Sequence, residues 1–122
     1  MKLIPFNKQG GRIKVCFKFT GLIAASYTFT LWESGSNDIV MEKKGNNINP
    51  VDDCYDLPLP TDKNDGRIID LLTSFKGLNT GKATPYSITI EVYQDGNLLG
   101  TESESGNCNG TQQSQLYAKL VG

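Results

Sequence analysis

Histidine is absent from the 122 residues. That removes Ser-His-Asp and Cys-His catalytic pairs, and with them every His-containing zinc site. Cysteine is scarce: Cys16, Cys54 and Cys108 are too few for a disulfide scaffold, and none forms a CxxC pair. The preferred reading is three reduced thiols. A Cys54–Cys108 bridge is the alternative, because VDDCYD and GNCNG are both polar, turn-like contexts. Cys16 lies between Lys14 and Lys18 on one strand face, which favours its thiolate, but it reads as a semi-exposed strand cysteine. Phosphate-binding loops of the GxGxxG and GxxxxGK[ST] types are missing. No apolar run approaches the roughly 18 residues of a membrane span. Charges nearly balance, 12 Lys and Arg against 13 Asp and Glu, which argues against a nucleic-acid partner. The opening MKLIPFNKQGG is interrupted by Pro5 and Asn7 and has no signal-peptide pattern. The compartment stays open between the cytoplasm and a mature extracytoplasmic chain. With these chemistries removed, the chain is expected not to be an enzyme and to need no cofactor.

Alternation of apolar and polar side chains is what the sequence has in quantity. In GRIKVCFKFTG, Ile13, Val15, Phe17 and Phe19 share one face, while Arg12, Lys14, Cys16, Lys18 and Thr20 share the other. A period of two means a half-buried strand. ASYTFTLWE repeats the pattern, with Tyr27, Phe29 and Leu31 on one side and Ser26, Thr28, Thr30 and Trp32 on the other. Residues 39–43 form a third candidate. Val51, Tyr55 and Leu57 mark a fourth, whose prolines suit an edge or a crossing loop. TPYSITIEVYQDGNLLG reads as a hairpin, with Asp95-Gly96 at its turn and Tyr86, Ile88, Ile90 and Val92 facing inward. QSQLYAKLV is a final strand. Residues 67–76 fit a strand better than the alternative short helix, because strand signals surround them.

About seven or eight short strands with turns between them predict an all-β fold. The 122 residues read as one antiparallel β-sandwich domain, with a small β-barrel as the alternative. The stretch GLNTGKATPYSITIEV resembles the E–F corner of immunoglobulin-like and fibronectin type III domains, through Leu78, Gly81 and Tyr86. The resemblance covers about sixteen residues and implies an immunoglobulin-like, Greek-key arrangement. It further implies that the Tyr86 hydroxyl bonds to backbone upstream, as in a tyrosine corner. The Cys and Trp spacing of antibody domains is absent, so the resemblance implies an architecture and no activity.

Candidate sites lie in the polar loops. Six aspartates fall between positions 52 and 70. Asp52, Asp53, Asp62 and Asp65 are the candidate ligands for Ca²⁺, a hard ion that takes six to eight oxygens. DKNDG, residues 62–66, is one residue short of an EF-hand opening, and the same residues serve equally as turn formers. Trp32, phased to the polar face, together with Asn46, Asn47 and Asn49, could stack on and hydrogen-bond a sugar. Asn109-Gly110-Thr111 is a formal glycosylation triplet. The leading expectation is a non-catalytic binding or assembly module with a protein partner or self-association. The alternatives are a carbohydrate- or Ca²⁺-dependent module and a barrel that carries a small ligand.

Overall fold

A computed structural model describes residues 1–48, 53–79 and 81–122. Nine strands are present among them: β1 Lys2–Pro5, β2 Ile13–Thr20, β3 Ile23–Trp32, β4 Ile39–Asn46, β5 Asp53–Asp56, β6 Ile68–Gly77, β7 Thr84–Gln94, β8 Asn97–Cys108 and β9 Thr111–Val121. They form a five-stranded sheet, in the order β1-β9-β6-β3-β4, and a four-stranded sheet, in the order β5-β2-β7-β8. Among the described residues neither sheet closes on itself, so the barrel alternative is overturned. A hollow barrel would need its inward side chains to leave space. Here Val15, Phe29, Leu31, Leu71, Ile88, Ile90 and Leu120 are fully buried between the two sheets.

Residues 68–76 lie in strand β6, at the centre of the larger sheet between β3 and β9. Its inward residues Ile69, Leu71, Thr73 and Phe75 meet the opposite sheet, whereas a helix at that place would break two ladders. The only helical turn among the described residues is a short 3-10 helix, Thr61–Asn64. Strand β1 lies outside the sequence reading. It is four residues long and ends at a proline, too short to show a period, and it is fixed by parallel pairing with β9. The lysine-bearing β2 is an interior strand between β5 and β7.

Aromatic rings meet in the core where β2, β3 and β5 come together. Phe17 lies against Phe29 and Tyr27 with ring centroids 5.1 and 5.4 Å apart, and Tyr55 lies 5.8 Å from Phe29. Edge and tilted geometries of this kind are the favoured aromatic contacts. The hydroxyls of buried Tyr27 and half-buried Tyr55 are 2.5 Å apart, so each phenol meets the other. Burial, then the bond to Tyr55, pushes the Tyr27 phenol well above its ordinary value. Gly45, opposite Tyr27 on β4, leaves room for the ring: a Cβ there would sit 2.5 Å from the Tyr27 oxygen.

The β7–β8 hairpin turns at Asp95 and Gly96, with φ of 53° and 77°, as the Asp-Gly signal predicts. Beside it Gln94 is buried and donates to the carbonyls of Asn7 and Gly11 while accepting from the Asn7 amide, which ties the β1–β2 connection down. Tyr86 does face inward, against Phe75 at 4.6 Å. Its hydroxyl, however, donates to Glu104 Oε2 on β8, not to upstream backbone. The tyrosine-corner expectation is thereby corrected, because the partner strand in the same hairpin brings a carboxylate within reach first.

The thiols are corrected too. Cys16 and Cys54 are bridged, and only Cys108 is a free thiol, fully buried at the end of β8. The pairing of β2 with β5 places Cys16 directly opposite Cys54, with Cα atoms 4.1 Å apart. Sequence context could not reveal a register between strands 38 positions apart. Replacing Phe29 with Ala should remove the centre of the aromatic cluster and destabilise the fold by about 3–5 kcal/mol. Urea unfolding followed by circular dichroism measures that loss.

Candidate binding surface

The outer face of the five-stranded sheet is assembled by register. Across it run Lys119, Ile68, Trp32 and Ile39 in one row, with Leu3 beside Lys119 on β1. The next row is Tyr117, Asp70, Thr30 and Glu42, and the third is Gln115, Leu72, Thr28 and Lys44. Trp32 keeps the polar-face phase that its sequence position indicates. The irregularity between Leu31 and Trp32 is absorbed on β4, so the indole stays on the outer face, half-buried.

Asp70 sits at the middle of this face and is only 8% exposed. Its two oxygens accept from the Trp32 indole N–H at 3.0 Å and from Gln115 Nε2 at 3.1 Å. A carboxylate on the central strand thus fixes the indole on one side and an amide on the other. Leu3, Ile39, Leu72 and Tyr117 are exposed around it, with Met1 beyond. Met1, Trp32, Ile68 and Tyr117 line a shallow cleft of about 270 Å³ together with Ser36 and Asn37 of the β3–β4 loop.

That loop is held from below. Arg67 makes a two-pronged bond to Glu33, Nε to Oε1 at 3.1 Å and Nη2 to Oε2 at 3.0 Å, and its Nη1 donates to Asn64. The Arg67 guanidinium, and then the Ser34 amide, hold the Glu33 carboxyl below its ordinary value of 4.5.

The sugar-binding set proposed from sequence is not brought together. Trp32 pairs with Ile39 at one end of the β3–β4 hairpin, and Asn46 pairs with Ser26 at the other. Six residue steps along β3, from Ser26 to Trp32, separate them, roughly 20 Å. Asn47 is a structural latch: its Oδ1 accepts from the Ala25 amide and its Nδ2 donates to the Ile23 carbonyl. Asn46 caps the Ile48 amide. Asn49 lies outside the described residues, as does Asp52. Of the other candidate Ca²⁺ ligands, Asp53 is on β5 and Asp62 in the 3-10 helix. Asp65 accepts from the Gly122 amide and pairs with Lys8 at 3.3 Å, which together lower its pKa. Among the described residues no three His, Cys, Asp or Glu side chains converge as a metal would require.

Sequence reading found Trp32 but missed Asp70, Gln115 and Tyr117. Their side-chain phase was visible, since Asp70 and Leu72 alternate with Ile69 and Leu71. Their meeting depends on cross-strand register. Comparison with known proteins returns no matching family model, no matching curated protein and no matching solved structure.

Two measurements check this geometry. Asp70→Ala should leave the indole N–H and the Gln115 amide without their partner, costing about 1–3 kcal/mol and shifting Trp32 emission. A variant with unchanged emission and stability contradicts the bonding described. Because the folded-state pKa of Glu33 is lowered, its contribution is complete above the ordinary 4.5 and is lost as the pH falls through the lower folded value. Urea midpoints of wild type and Glu33→Gln should therefore differ at neutral pH and converge in acid.

Proposed function

We propose that this protein is a non-catalytic, immunoglobulin-like β-sandwich binding module, and that the outer face of the five-stranded sheet receives a protein partner. The observation that carries this reading is the cluster of Trp32, Ile68, Leu72 and Tyr117 around the fixed Asp70, with Met1, Leu3 and Ile39 exposed at its margin. Exposed large apolar side chains grouped on one face mark interaction surfaces. An aromatic and aliphatic centre inside a polar, mixed-charge rim is the anatomy of a protein interface, and the rim here is Lys119, Glu42, Lys44 and Gln113. Asp70 supports the proposal energetically: it holds the indole in place before a partner arrives, which lowers the cost of ordering it on binding.

A carbohydrate ligand is the second reading. It rests on the cleft between Trp32 and Tyr117, where Ser36 and Asn37 supply hydrogen-bonding groups beside two aromatic side chains.

Panning a displayed peptide library against the protein distinguishes the two. Peptides should be enriched whose affinity falls about tenfold or more for the double variant Leu72→Glu, Tyr117→Glu, a loss typical of central interface residues. The variant's circular dichroism should match wild type. Peptides that bind both proteins equally would place recognition elsewhere. Glycan-array binding abolished by Trp32→Ala, with no peptide enrichment, would replace the protein partner with a sugar.

A further inference from the structure

The opposite face of the sandwich carries a different chemistry. Arg12, Lys14, Lys18, Asp56, Glu91 and Tyr93 line a cleft of about 530 Å³ whose floor includes the Cys16–Cys54 bridge. The two sulfur atoms are not equivalent. Cys16 is on the interior strand β2 and is 5% exposed, whereas Cys54 is exposed on the edge strand β5.

We propose that this bridge is a thiol–disulfide exchange site at which a small thiol, of the glutathione class, attacks Cys54. A thiolate attacks a disulfide along the line of the bond, from behind the sulfur it joins. Behind Cys54 is the sheet's outer edge, where among the described residues no strand pairs with β5. Behind Cys16 is β7, and the residue directly opposite is Glu91. That carboxylate is largely covered, accepts from the Tyr93 hydroxyl at 2.9 Å and pairs with Lys18 at 3.2 Å. It both fills the approach and repels an anionic nucleophile.

The chemistry closes without further reagents. The thiolate RS⁻ forms a bond to Cys54 Sγ, and the Cys54–Cys16 bond breaks with its electron pair on Cys16. A second thiolate attacks the R sulfur of the mixed disulfide, releasing RSSR and the Cys54 thiolate. Both cysteines then take up protons according to their pKa. Two thiols are oxidised and one disulfide is reduced. Reduction removes the covalent tie on β5, whose pairing with β2 covers four residues. The outcome is an edge that opens under reducing conditions.

The first test follows reduction of the wild-type bridge by dithiothreitol at several concentrations, with global unfolding measured in parallel by amide exchange of β2 and β3. The proposal expects a rate that rises linearly with dithiothreitol and exceeds that of unfolding. A rate that saturates at the unfolding rate overturns it, because the bridge would then react only when the sheet opens. The second test compares single variants exposed to glutathione disulfide. Cys54 in Cys16→Ser should form its mixed disulfide about tenfold or more faster than Cys16 in Cys54→Ser, and Glu91→Gln placed in Cys54→Ser should narrow the gap. Equal rates in two folded variants overturn the assignment of Cys54 as the attacked sulfur. If circular dichroism shows that either variant has not folded, the wild-type kinetics decide alone.

Discussion

The packing of Phe17 against Phe29, with Tyr27 and Tyr55 around them, is the contact on which the two sheets depend. Phe17 belongs to the four-stranded sheet and Phe29 to the five-stranded one, so their contact sets how the layers lie on each other. Close-packed protein interiors transmit displacement rather than absorb it. The positions of β5, of Gly45 beneath Tyr27 and of the Tyr27–Tyr55 pair of phenols all follow from the same cluster.

From that registration come two outer faces of unlike chemistry. One is apolar at the centre, with a carboxylate that orients an indole and an amide. The other is charged, with a disulfide at its edge. Alternation with a period of two makes this division unavoidable: each residue committed to the core sends its neighbours outward. Trp32 and Asp70 are on the surface because Leu31, Ile69 and Leu71 are inside. Cys16 is outside because Val15 and Phe17 are inside, and its near-complete burial comes from the strands on either side of β2.

Much of the fold was legible in the chain. The inward sets of β2, β3 and β7, the Asp-Gly turn and the strand character of residues 67–76 all rest on local pattern, and local pattern survives folding when one sheet face is buried. Strand β1 was not legible, because four residues ending at Pro5 carry no period and depend on β9 for their pairing. The candidate sites were less legible. Trp32 was visible through its phase, but Asn46 and Asn47 were attractive only by composition, and their side chains are engaged with their own backbone surroundings. Asp65 likewise suits a metal by composition alone, while Gly122 and Lys8 occupy it.

By itself, the sequence determined the all-β character and which side chains of the longer strands point inward, because alternation and turn chemistry are properties of a few consecutive residues; that the strands form two packed layers and not a barrel was decided by the tertiary structure. Only the tertiary structure decided which strands are neighbours. That choice joined Cys16 to Cys54, set Asp70 between Trp32 and Gln115, and turned the Tyr86 hydroxyl toward Glu104. Each of these pairs is brought together by hydrogen-bonded register between strands, and register is fixed by the global fit of the core rather than by any stretch of sequence.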